Sequence, residues 1–82
     1  MNKLRDLREY NNLTQKDIAK KFNVDQSNYS KYELGKITIP YDLLINLALF
    51  YNTSVDYILG LTNVNKPYPR IKNIDNKKQN LS

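Results

Sequence analysis

At 82 residues the chain makes one small domain with a thin core, since a chain of about 60 residues buries only roughly 60% of the surface it exposes when unfolded. It has no cysteine and no histidine, which excludes disulfides, thiolate metal sites and thiol nucleophiles and removes the commonest general base and metal ligand. The formal net charge is +5, yet residues 1–61 hold eight basic and seven acidic side chains, so the excess lies in Lys66, Arg70, Lys72, Lys77 and Lys78 against Asp75. A polyanion partner therefore has to be argued from a local patch. No apolar run approaches the roughly 20 residues of a membrane span, and no secretory leader is legible, so a cytoplasmic protein is expected.

Asn2 to Tyr10 places Leu4 and Leu7 one turn apart beside Arg8, which predicts an amphipathic first helix ended by Asn11-Asn12. Thr14 is an N-cap with Asp17 in capping-box position, opening a second helix that carries Ile18, Ala19 and Phe22 on one face. Asn23 tolerates left-handed backbone, Asp25 caps a third helix from Gln26 to Leu34, and Gly35 terminates it. Pro40 suits the first turn of a fourth helix, about Tyr41 to Tyr51, whose nearly continuous apolar residues predict a central position. Ser54 caps a short fifth helix, Val55 to Leu59, closed by Gly60. No strand-like alternation competes, so the fold class is all-α. Residues 63–82 are rich in asparagine, proline and cations and poor in large apolar side chains, which predicts a basic, disordered tail behind a domain spanning residues 1–62.

The stretch Thr14 to Lys36 carries the chemistry. Two short helices joined by a tight turn need a small residue where their backbones approach, and Ala19 supplies it. Asn23 serves the turn and Val24 plugs the gap. Ile18, Phe22, Tyr29 and Tyr32 face inward, the tyrosines as packed rings with solvated hydroxyls rather than stacking platforms for bases. Gln26, Ser27, Ser30 and Lys31 then fall on the outward arc of the third helix. Glutamine bonds adenine N6 and N7, lysine reaches guanine O6 and N7, and serine suits several base edges. No acidic side chain interrupts that arc, as a phosphate-lined groove requires.

The marks Leu7-Arg8-Glu9, Thr14-Gln15 with Ile18-Ala19, Tyr32-Glu33 with Gly35-Lys36, and Ser54 to Gly60 occur in one order and spacing. Over residues 3–62 the chain resembles the Cro/phage-repressor (XRE-type) family of helix-turn-helix regulators. The resemblance implies a five-helix, lambda-repressor-like DNA-binding domain with a flexible tail. It implies base reading by Gln26, Ser27 and Lys31 with Ser30 on the flank, and backbone contacts from Gln15 and Lys36. Asn28, Lys16 and Thr14 are further backbone candidates. It also implies an ion pair between Arg8 and Glu33; the alternative is that each is a simple surface charge. Asn23 departs from the glycine that the family favours at this turn.

These readings predict a transcriptional regulator, a repressor of phage or mobile-element type, bound to double-stranded DNA as a homodimer on a palindromic operator. Tyr57, Leu61 and Val64 are the dimer candidates. The alternative is an antitoxin whose tail wraps a toxin, for which Ile71, Ile74 and Leu81 offer a sparse set of anchors. An enzyme is disfavoured by the missing histidine and cysteine. No cofactor, metal or small-molecule ligand is expected.

Overall fold

The computed structural model describes residues 2–71. Five helices follow in chain order: α1 (Leu4–Tyr10), α2 (Gln15–Lys21), α3 (Gln26–Leu34), α4 (Tyr41–Phe50) and α5 (Val55–Ile58). The described residues contain no strand, and the fold is the all-α, five-helix arrangement that the sequence predicts.

Local chemistry sets the start of each helix. Thr14 Oγ1 accepts from the Asp17 N–H at 3.0 Å while Asp17 Oδ2 accepts from the Thr14 N–H at 2.9 Å, a complete capping box. Asp25 accepts from the Asn28 N–H at 3.2 Å and Ser54 from the Tyr57 N–H at 3.0 Å. At α1 the side-chain Oδ1 of Asn2 accepts from the Leu4 N–H, and its Nδ2 donates to the Tyr32 carbonyl at 2.8 Å, tying the chain just before α1 to the end of α3. Pro40 stands one position earlier than its sequence suggests. It is the N-cap of α4, with φ −57° and ψ 141°, and Tyr41 is the first helical residue.

All five helices end in one way. Asn12, Asn23, Gly35, Asn52 and Gly60 have φ between 54° and 80°. In each, the left-handed residue donates to a carbonyl three residues back, and the next residue donates five back, as in Val24 N–H to Ala19 O at 2.9 Å. This double closure satisfies carbonyls that the helix end would leave unpaired. Asparagine fills the αL position three times because its short polar side chain tolerates that backbone better than other non-glycine residues.

Leu4, Ile18, Ala19, Tyr29, Tyr32, Leu43, Leu47, Ala48 and Ile58 form the buried core, with Phe22, Val24 and Leu44 half-buried against it. The helix α4 is less central than its composition predicts. Leu43, Leu47 and Ala48 are buried, but Ile45, Leu49 and Phe50 are exposed. A four-residue α5 is too short to cover a second face of α4. Phe50 instead packs edge-on to Phe22 with ring centroids 5.5 Å apart, and the Lys21 ammonium lies 5.1 Å from its centroid.

The chain after Gly60 forms no helix up to Ile71, yet it makes specific bonds. Thr53 Oγ1 donates to the Asn65 carbonyl at 2.6 Å, and the Tyr68 hydroxyl donates to Asp56 at 2.8 Å. Arg70 donates to Asn52 Oδ1 at 3.2 Å and to the Thr53 carbonyl at 3.1 Å. Residues 67–70 wall an apolar cleft of about 260 Å³ against Ile45, Ala48, Leu49 and Val55. Ile74, Leu81 and the cations Lys72, Lys77 and Lys78 lie outside the described residues.

Candidate nucleic-acid interface

The helix α3 turns Tyr29, Tyr32 and Glu33 into the protein, and the two tyrosine rings meet edge to face at 6.4 Å. Away from them it exposes Ser27, Asn28 and Lys31, and Gln26 is exposed at its first turn. Ser30 is half-buried at the edge of that row rather than fully outward. Lys31 is the only charged side chain in the row, and Asp25 at its head keeps its carboxylate on the Asn28 N–H. Thr14 and Lys16 are exposed at the start of α2, and Gln15 between them is half-buried. Lys36 is exposed after the left-handed Gly35, its N–H held by the Lys31 carbonyl at 2.9 Å.

Behind this surface lies a buried ion pair. Arg8 Nε donates to Glu33 Oε2 at 2.6 Å and Arg8 Nη2 to Glu33 Oε1 at 3.1 Å, a two-point pairing of planar groups. Arg8 is 9% and Glu33 7% exposed, so both charges depend on each other. Arg8 spends its remaining reach on the Leu13 carbonyl at 2.9 Å, in the turn before α2. Gln15 Nε2 donates to Glu33 Oε1 at 3.1 Å, which brings the start of α2 to the same carboxylate. Burial opposes the Glu33 charge, but the bonds from Arg8 and Gln15, with the Arg8 charge, outweigh it and hold its carboxyl below the usual range. Hydrogen bonding to Glu33 likewise raises the Arg8 guanidinium.

Two tyrosine hydroxyls sit in this interior. Those of Tyr29 and Tyr51 are buried with no hydrogen-bond partner among the described residues, so the expectation of a solvated Tyr29 hydroxyl is corrected. Tyr29 lies wholly inside the core, where the helix period carries the entire side chain and not the ring alone. Burial, followed by the Glu33 charge, pushes the Tyr51 hydroxyl up to about 12, and burial raises Tyr29 further.

An open depression of about 430 Å³ separates α1 from the face of α3, with Arg5, Arg8, Gln15, Ser30 and Glu33 among its walls. The dimer candidates are spread out. Tyr57 is half-buried, with the Lys3 ammonium 6.0 Å from its ring, whereas Leu61 and Val64 are 74% and 63% exposed. Tyr57 lines a shallow depression with Asp6, Leu7, Tyr10 and Asn65, which Leu61 and Val64 do not line. Sequence reading missed two features. The Gln15–Glu33 bond has no signature in spacing, since it depends on which rotamers converge. The Pro67-Tyr68-Pro69 run was a usable signal for an ordered segment, because two fixed φ angles lower the entropy of docking a segment without regular secondary structure.

Comparison with known proteins agrees with this geometry. Residues 4–58 match the helix-turn-helix family model. The chain is 42% identical over 72 residues to the uncharacterized HTH-type transcriptional regulator YobD of Bacillus subtilis (strain 168), covering 88% of this chain and 64% of that protein. It is 38% identical over 64 residues to the HTH-type transcriptional regulator ImmR of the same organism, covering 78% of this chain and 50% of that one. The uncharacterized HTH-type transcriptional regulator YqaE matches at 36% over 56 residues, 68% of this chain and 48% of its own length. The chain thus spans about half to two thirds of the length of these relatives. No solved structure matches.

Proposed function

The chain belongs to the helix-turn-helix family, of the Cro/C1 (XRE) type, and on that premise we propose that it is a repressor that binds an operator in duplex DNA. The observation that carries this reading is the exposed row Gln26, Ser27, Asn28 and Lys31 on a helix capped at both ends. An α-helix fits the major groove of B-DNA, and these side-chain types pair with base edges there. Gln26, Ser27 and Lys31 read bases, with Ser30 at the rim of the contact. Gln15, Asn28 and Lys36 hold the backbone, with Thr14 and Lys16 beside them. Such contacts fix register on the duplex and carry no sequence information directly.

Residues 1–61, which hold helices α1 to α5, have a single excess positive charge, so one copy binds weakly and specificity depends on pairing two. The protein acts as a homodimer in the cytoplasm, where its DNA lies, with Tyr57, Leu61 and Val64 contributing to the pairing. The test is selection of binding sites from a random duplex pool, followed by footprinting. Two protected half-sites about one helical turn apart support the reading. A single unpaired half-site contradicts the dimer, and failure to enrich any duplex contradicts DNA recognition itself.

A further inference from the structure

Glu33 makes more bonds than an ion pair needs. Its Oε2 takes the Arg8 Nε–H, while Oε1 takes both Arg8 Nη2 and the side-chain amide of Gln15, each at 3.1 Å. Glu33 is buried on the inner side of α3, and Gln15 is the first residue of α2, flanked by the exposed Thr14 and Lys16. One N–H of the Gln15 amide is thereby turned toward the interior, and the other has no protein partner among the described residues. Arg8 reaches the Leu13 carbonyl two residues ahead of Gln15, so the same cluster also fixes the backbone leading into α2. Gln26 on the reading face offers the contrast, since its side chain makes no hydrogen bond among the described residues and is exposed.

We propose that Glu33 is a positioning residue for DNA-backbone recognition, holding the Gln15 side chain in one rotamer so that its second amide N–H is presented to a phosphate oxygen before DNA arrives. The inference rests on the DNA-binding reading above and deepens it. A flexible glutamine loses rotamer freedom when it meets a phosphate, and a glutamine already ordered within the protein does not. The carboxylate that orders it would repel the same phosphate were it bare, and the two-point pairing with Arg8 removes that obstacle. Backbone and base contacts then differ in kind: Gln15 is fixed in advance, whereas Gln26 is left free to adapt to a base edge.

Two measurements on the full chain test this. The first needs no DNA. Heteronuclear relaxation of side-chain amides should show Gln15 Nε2 as rigid as the backbone around it, with Gln26 Nε2 freely mobile. Equal mobility of the two overturns the proposal. The second is a mutant cycle on a duplex enriched from the random pool. Gln15→Ala should weaken binding about tenfold or more, the loss of a hydrogen bond to a charged acceptor. The paired replacement R8M/E33L keeps buried volume without a lone charge, and its fold is checked by thermal melting. It should weaken binding about threefold to tenfold, the cost of ordering one flexible side chain, and should cost nothing further when Gln15→Ala is already present. Independent, multiplying losses overturn the proposal while leaving DNA recognition intact. Failure to enrich any duplex overturns the reading on which it rests, and the proposal with it.

Discussion

Around Glu33 the interior is charged and polar: Arg8 of α1 and Gln15, the first residue of α2, donate to its carboxylate, and Arg8 also donates to the Leu13 carbonyl in the turn between them. Around Ile45 and Leu49 the surface is apolar, α5 is too short to cover it, and an irregular segment from Asn65 to Arg70 completes it. The first region sets the geometry of the proposed binding face, so its groups are satisfied by few, directional bonds. The second excludes water with prolines and apolar side chains, helped by the bonds of Thr53, Tyr68 and Arg70. Directional clusters fail sharply when one member is lost. Apolar docking loses contact by degrees.

The largest expected effect breaks the first region. Arg8→Leu or Glu33→Leu alone leaves an uncompensated buried charge and should destabilise the fold by about 3–5 kcal/mol in urea denaturation. The combined R8M/E33L change should cost much less, and equal costs would mean the pair is not truly desolvated. Acid should act on the same cluster. The folded Glu33 carboxyl lies below its ordinary value of 4.5, so its contribution is complete above that pH and is lost as pH falls through the folded value. The urea midpoint of the natural chain should therefore drop more between pH 7 and pH 3 than that of R8M/E33L.

The second region should respond more mildly. Thr53→Val removes the bond to the Asn65 carbonyl from a side chain that is 2% exposed, and should cost about 1 kcal/mol. Hydrogen exchange should then quicken in residues 65–70 before it changes in α3. Simultaneous quickening in both places would contradict the separation of the two regions. An effect no larger than this lies at the turn between α2 and α3. Asn23→Ala should cost about 1 kcal/mol at φ 56°, and Asn23→Gly should leave thermal stability nearly unchanged.

The same contrast explains what the sequence made legible. Helix ends are local, so Thr14, Asp25 and Ser54 as caps, and Gly35 and Asn23 as left-handed closures, could be read from neighbours a few residues away. The outward placement of Ser27 and Lys31 on α3 followed from its period. Burial of α4 could not be read, because it depends on how much of the chain remains to cover it, and Ile45 and Leu49 look like core residues until α5 proves too short. The partner of Gln15 was hidden for a related reason. An amide eighteen positions from a carboxylate meets it only through the packing of α2 on α3.

The central claim is that the outward face of α3 reads base edges. The direct measurement is the affinity of Gln26→Ala and Lys31→Ala for the selected duplex and for its single-base-pair variants, at fixed salt. Each change should cost about 1–3 kcal/mol on the selected duplex and abolish discrimination at one base position. An equal loss on every sequence, or no loss, would contradict the claim.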